Sequence, residues 1–209
     1  MTVDDVISEC RVRLDDLVTP YQYADDNLLI WLDDAEMEAC RRARLLSDSS
    51  LTVAISAGVS AYDIPDSTIQ LRRAKLLLDE VPLDFASSRD MDEDVAGWQT
   101  HKGTPTDIIS DMDSHRFTLY PEPIVNDTLT LTVIRENECR LEIPARFHHS
   151  LVDWILFRAY QVRDADGENR SKSTEHLALF EQEFGSRSSA KDETFNNRQM
   201  PYNTSDGYY

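Results

Sequence analysis

Apolar positions along the chain change period twice. Val3, Val6, Ile7, Cys10, Leu14 and Leu17 recur at helical spacing, which predicts an amphipathic helix over 3–17, ended by Thr19-Pro20. Leu28, Leu32, Ala35, Ala39, Ala43 and Leu46 form a second stripe. It predicts a second helix with Asp25 or Asp26 at its N-cap, and with Arg41, Arg42 and Arg44 near its C-terminal end, where they complement the helix dipole and pair with Glu36 and Glu38. Ser47-Asp48-Ser49-Ser50 breaks this helix, and the period then falls to two. Leu51 to Ser56 and Val59 to Ile64 alternate like a hairpin turning at Ala57-Gly58, stopped by Pro65. Ile69 to Leu78 is strand-like, Asp79-Glu80 a turn, and Val81-Pro82-Leu83 the start of a return strand, with Pro82 best placed on an edge.

A short helix over Arg89 to Trp98 and a Gly103-Thr104-Pro105 turn lead into strands at Thr106 to Asp111 and Arg116 to Tyr120, closed by Pro121 and Pro123. The cleanest alternation is Thr128 to Arg135, where Leu129, Leu131 and Val133 face one way and three threonines the other. After Ile143-Pro144 the helical period returns. Ala145 to Asp164 has only a narrow polar stripe and, at roughly 30 Å long, reads as a hub buried on more than one side, on which the N-terminal helices and the strand region dock. Asp166-Gly167 ends it. A last helix over Ser171 to Phe184 buries Leu177, Phe180 and Phe184, with Gly185 at its C-terminal cap. From Ser186 the chain is polar with isolated aromatics, the composition of a segment that is loose alone and orders on a partner, or of a frayed terminus.

The pattern predicts an α+β fold: a helical bundle from the N- and C-terminal helices with an inserted antiparallel β-rich lobe. The expected bounds are 1–47 and 144–185 for the bundle, 48–143 for the lobe, and 186–209 for a flexible C-terminal tail.

Charge changes the picture more than composition does. With 41% hydrophobic residues in 209, the chain is long enough for a packed core. Its 39 acidic against 21 basic residues leave a formal net charge of -18. Duplex binding along an outer face needs basic patches, so a nucleic-acid reader is disfavoured, whereas a surface past which DNA slides without sticking is not. Three widely spaced cysteines, with no CxxC pair, are expected as free thiols. The N-terminus lacks a signal peptide's basic and apolar regions, and no run of about 18 apolar residues is present to span a bilayer. A protein made in a cytoplasm, without a membrane partner, is expected.

Candidate chemistry is thin. Asp111-Met112-Asp113-Ser114-His115 and Asp164-Ala165-Asp166-Gly167 alternate carboxylates as a hard cation requires, but the first is a hairpin turn and the second lacks a calcium loop's closing Glu. His148-His149 face different sides of a helix without further ligands at metal spacing. Pro65-Asp66 invites comparison with a nuclease, yet the next lysine is Lys75, in Arg73-Ala74-Lys75. No P-loop, G-x-G-x-x-G or G-x-S-x-G elbow occurs among six glycines. The expectation is a non-enzyme without cofactor or metal.

The ordered set Tyr62-Asp63-Ile64-Pro65, Val81-Pro82-Leu83, Trp98, Gly103-Thr104-Pro105, Phe117-x-Leu119-Tyr120-Pro121-x-Pro123, Leu129-x-Leu131-x-Val133 and Ile143-Pro144-x-x-Phe147-His148-x-x-Leu151 resembles the head-to-tail adaptor proteins of tailed bacteriophages. These include the ring proteins called tail tubular protein A or gatekeeper. The resemblance covers roughly residues 3–185; Asp79-Glu80 departs from it in lacking a glycine, and the C-terminal tail matches no pattern of the family. It implies a homo-oligomeric ring, commonly twelve-fold, in the virion neck under the portal protein. Such a ring meets a tail nozzle or tail tube protein on its other side, and double-stranded DNA passes through it.

On that reading Phe195, Arg198, Met200, Tyr202, Tyr208 and Tyr209 are candidate portal-binding residues. Arg89, Trp98, Asp111, Asp113 and His115 are candidate tail-facing ones. The same charge also suits an acidic DNA mimic, although mimics space their carboxylates along one face and here acids are spread through helices, turns and tail. Another neck ring, such as a tail terminator, would look much the same in sequence.

Overall fold

The computed structural model describes residues 1–113, 115–162 and 170–187. Helices in chain order are α1 (Val3–Leu14), α2 (Asp25–Ala43), α3 (Ser88–Asp94), α4 (His148–Gln161) and α5 (Arg170–Phe184). Strands are β1 (Leu46–Ile55), β2 (Ala61–Asp63), β3 (Thr68–Leu76), β4 (Pro82–Ala86), β5 (Lys102–Gly103), β6 (Asp107–Ile109), β7 (Arg116–Tyr120), β8 (Glu122–Pro123) and β9 (Asp127–Arg135). The fold is α+β. It divides into a helical unit, Met1–Leu46 with Glu136–Ser188, and a β unit over Ser47–Arg135. Residues 136–143, which the sequence pattern groups with the strands, belong to the helical unit.

In the helical unit, α1 opens on a capping box: Thr2 Oγ1 accepts from the Asp5 amide at 3.2 Å, and the Asp5 carboxylate accepts from the Thr2 amide at 2.7 Å. These bonds hold the Asp5 carboxyl below its ordinary range. The helix ends at Leu14, three residues before the expected stop, with Asp15 in the left-handed region as its cap. α2 is capped by Ala24 without a side-chain bond, and Asp25 and Asp26 sit in its first turn instead of at the cap. They still favour the positive end of the dipole from there. α4 packs against α1, α2 and α5, as expected of a hub within this unit. Leu151, Val152, Ile155, Leu156 and Ala159 are fully buried along it. Trp154, Phe180 and Phe184 pack as tilted rings in series, centroids 4.9 and 4.7 Å apart, with the Arg42 guanidinium 5.3 Å from the first two rings. Gly185, at φ 88°, ends α5 by donating its amide to the Glu181 carbonyl at 2.9 Å.

The β unit is one seven-stranded sheet in the order β1-β9-β3-β4-β6-β7-β2, beside a two-stranded β5-β8 pair. β3 pairs antiparallel with β9 and with β4, as β7 does with β6 and β2, whereas β4–β6 and β5–β8 are parallel. The sheet is therefore mixed, not purely antiparallel. Leu129, Leu131 and Val133 on β9 bury against Leu71, Ala74, Leu76, Phe117 and Leu119, as strict alternation requires of a strand with one face on the core.

Three expectations fail here. Leu51 to Ser56 and Val59 to Ile64 do not pair with each other, because β1 lies beside β9 and β2 pairs with β7. The turn at Ala57-Gly58 exists, with Gly58 at φ 79°, but it carries the chain from one border of the sheet to the other. Ser47-Asp48-Ser49-Ser50 is no breaker between elements; it lies inside β1, a border strand, where polar side chains are tolerated on the open side. Pro82 is not on an edge strand either. It is the first residue of the internal β4, opposite Lys75, and the β6 register begins only at Asp84, so its missing N–H interrupts no ladder.

Candidate interaction site

The sequence candidates fall into three groups by location. Phe195, Arg198, Met200, Tyr202, Tyr208 and Tyr209 lie outside the described residues, as does Asp164-Ala165-Asp166-Gly167. Trp98 and Asp111 act inside the scaffold. Trp98 is 4% exposed, packs with Met91 and Ile109, and donates Nε1–H to Asp92 at 2.8 Å. The Asp111 carboxylate accepts from the Ser88 amide and hydroxyl at 3.0 and 2.9 Å, tying the start of α3 to the β6–β7 turn.

Arg89, Asp113 and His115 remain at the surface. Arg89 pairs with Glu93 one turn on at 2.9 Å. Asp113 accepts from the His115 amide at 3.0 Å, and the His115 ring lies 3.3 Å from Asp66. The two carboxylates of this turn are thus spent on different backbone groups, and they do not converge. Among the described residues no group of three or more His, Cys, Asp or Glu side chains could hold a metal ion.

The two histidines of α4 separate as their positions predict. His148 is buried against the Ile143 carbonyl at 2.8 Å, and His149 lies 2.7 Å from the Arg13 guanidinium. Cys10 and Cys40 are buried, and burial pushes both thiols up to about 12; Cys139 is exposed. Among the described residues no helix is long and apolar enough to cross a membrane.

The electrostatics of the helical unit are organised inward. Arg11 bridges Asp16 at 2.7 Å, reaches Asp25 and the Tyr23 carbonyl, and lies 3.6 Å from the Tyr21 ring centroid. Desolvation opposes the charge of Arg11, yet its carboxylate partners prevail and raise its pKa further. Arg140 grips Asp33 with two bonds of 2.6 and 2.8 Å. Arg42 pairs with Glu38 as the helical spacing predicts, but Arg41 turns to Glu136 and Arg44 becomes the left-handed cap of α2. Glu36 pairs with none of them. It is fully buried and accepts the amides of Leu141, Glu142 and Ile143 at 2.7, 2.6 and 3.0 Å. The guanidinium groups of Arg11, Arg41, Arg42 and Arg140 are committed to carboxylates of the same unit, which leaves them poorly placed to track a phosphate backbone.

The pattern reading also passed over the apolar tips of the β unit. Leu77 and Leu78, 58% and 67% exposed, read as the end of a strand, although β3 stops at Leu76. The available signal is three leucines in succession, Leu76 to Leu78, before Asp79-Glu80, where alternation cannot bury all of them.

The chain is built from two units, the second inserted in sequence into the first. A family model described as SU10 adaptor protein matches residues 1–204. No curated protein matches the chain. With almost the whole length covered, both units included, the chain belongs to the SU10 adaptor protein family and is a phage head-to-tail adaptor.

Proposed function

We propose that the protein forms a homo-oligomeric ring in the virion neck, joining the portal protein of the capsid to the nozzle or tube protein of the tail and surrounding the path of the genome. The observation that carries this reading is the family match over residues 1–204. A closed ring needs two different faces on each subunit, and a helical unit with an inserted sheet supplies surfaces of different character. Twelve copies at -18 each would bring on the order of -200 formal charges around a channel, screened beyond about 10 Å. Double-stranded DNA would pass such a wall without being held. The work is structural, with no substrate turned over. Synthesis takes place in the host cytoplasm and assembly at the filled head.

The acidic DNA-mimic reading is disfavoured by where the carboxylates go. Asp16, Asp33, Glu36 and Asp63 are bound to partners within their own unit, and no phosphate-like row is left from them. In the ring, the segment bearing Phe195, Arg198, Met200, Tyr202, Tyr208 and Tyr209 is proposed to meet the portal. Arg89, Asp113 and His115 are proposed to face the tail, with Trp98 and Asp111 holding them from beneath.

Co-sedimentation of the purified chain with portal rings tests the reading. Binding at a fixed ratio of subunits is expected, reduced by removal of residues 190–209. A chain that stays in the supernatant with intact portal rings would contradict it, and unchanged binding after the truncation would discard the C-terminal contact alone.

A further inference from the structure

Three loops of the β unit meet at one end of the seven-stranded sheet and carry most of its large exposed apolar side chains, Met112 in the β6–β7 turn being apart from them. The β1–β2 loop holds Val59, the β3–β4 loop Leu77, Leu78 and Val81, and the segment before β9 Ile124 and Val125; their exposures run from 40% to 67%. All three connect strands at the same end, since β3 finishes where β9 and β4 begin, with Leu76 opposite Leu129 and Lys75 opposite Pro82.

Hydrogen bonds between the loops fix them as a unit. The Leu77 amide donates to the Thr128 carbonyl at 2.9 Å, the Leu78 amide to the Asp127 carboxylate at 3.1 Å, the Ala57 amide to Asn126 Oδ1 at 2.8 Å, and the Gly58 amide to the Pro123 carbonyl at 2.8 Å. Tyr62 closes the first loop on itself, its hydroxyl bonding Val59 O at 2.8 Å and the Ser56 amide at 3.0 Å. An apolar rim built this way is preorganised, so little ordering entropy is lost when something covers it. Six apolar tips in one place also differ from the single exposed hydrophobics that any surface carries.

Charge selects the occupant. Residues 56–60, 77–81 and 121–127 contain four acids, Asp79, Glu80, Glu122 and Asp127, and no base. Glu80 is 3.7 Å from Lys75 and Glu122 is 2.7 Å from Lys102, both from neighbouring strands. Asp127 is turned to the amides of Leu78 and Thr128. Asp79 has no ion pair among the described residues. A second copy of the same rim would set acid against acid, the chain's net charge of -18 makes the rest of a neighbouring copy acidic on balance as well, and an anionic bilayer would be repelled for the same reason.

From these contacts we infer that the rim docks a different protein, one whose surface offers apolar sockets bordered by Lys or Arg. The inference rests on the adaptor reading, which requires partner-facing surfaces. It places one of them at the end of the sheet opposite the Asp111–His115 turn, because the β6–β7 and β4–α3 connections leave the other end of the strands.

The test pairs two variants in phage particles assembled with this chain supplied in trans. The triple change Leu77→Asp, Leu78→Asp, Val125→Asp alters only exposed side chains, so an unchanged far-ultraviolet spectrum and elution volume are expected. Complete head-neck-tail particles should fall at least tenfold. The double change Asp79→Lys, Glu80→Lys should lower them less, and more at low salt than at high salt. A photoreactive benzoylphenylalanine in place of Leu78 should cross-link, in wild-type particles, to a segment of another protein that contains Lys or Arg.

Complete particles at the wild-type level with the triple variant would overturn the inference. So would a cross-link to another copy of this chain, to its own C-terminal residues, or to lipid. If the unmodified chain itself were missing from particles, the adaptor reading would fall and the rim with it. That result is told apart from failure of the rim alone by the wild-type control.

Discussion

The two units are specified by opposite means. The helical unit buries Arg11, Asp16, Glu36, Glu38, His148 and Ser173, whereas the β unit buries Gln70 as its one polar side chain of that class among the described residues. In the helical unit long-range geometry is set by charged groups with fixed partners: Glu36 on three amides of the segment leading to α4, and Arg11 on the chain between α1 and α2. In the β unit it is set by apolar alternation and strand register. A buried carboxylate with three donors tolerates one arrangement only, because any other leaves the charge or the amides unpaired. An alternating strand tolerates many side chains of similar volume. The difference gives the bundle a unique joint and leaves the sheet free to vary at its tips.

The largest expected effect is at that joint. Glu36→Ala should cost about 4 kcal/mol in urea unfolding, since it strands one buried and two half-buried amides, and hydrogen exchange at Leu141 to Ile143 should accelerate first. A loss below about 1 kcal/mol would mean that the carboxylate contributes little and that the contrast between the units is overstated. Leu131→Ala should follow at about 3 kcal/mol, as a cavity in a close-packed sheet core. Its effect should spread over the exchange rates of β3 and β9.

A pH effect separates the units next. Both buried thiols are in the helical unit, and their folded pKa values of about 12 lie above the unfolded value near 9. The native state therefore keeps protons that the unfolded state releases. Stability from this source is fully present below about pH 9 and is lost as pH rises toward 12, by at most roughly 1.4 kcal/mol per pH unit for each thiol. Unfolding curves at pH 7, 9 and 10.5 should show the decline, and Cys10→Ala with Cys40→Ala should flatten it. At pH 8 only Cys139 should react with a thiol reagent in the native protein.

Gln70→Leu sharpens the comparison from the other side. The buried Gln70 Oε1 has no partner among the described residues, so an apolar replacement should stabilise by about 1 kcal/mol, where Glu36→Leu should destabilise strongly. The smallest effect is at the surface. Arg89→Ala removes an exposed pair with Glu93 and should shift stability by less than about 0.5 kcal/mol.

Local periodicity made much of this fold legible. α4 and β9 read directly from their apolar positions, because burial on several sides or on one face leaves a mark at every residue. Partner choice left no such mark. Nothing in Leu51 to Ile64 distinguishes a hairpin from two border strands reaching β9 and β7, since alternation fixes which face is buried and not which strand is adjacent. Glu36 looked like one half of a helical ion pair, because its real partners are backbone amides a hundred residues away, and backbone amides carry no side-chain signature. The tail-facing candidates rest on residue type in turns. Trp98 and Asp111 have the composition of contact residues but are used to hold α3 in place, while Leu77 and Leu78 were hidden at the end of a strand.

Cryo-electron microscopy of the neck of the particle tests the adaptor role most directly. A collar of identical copies is expected between capsid and tail, each fitted by the helical unit and the seven-stranded sheet, with density from another protein against Leu77, Leu78 and Val125. A neck whose density is fully accounted for by other chains would contradict it.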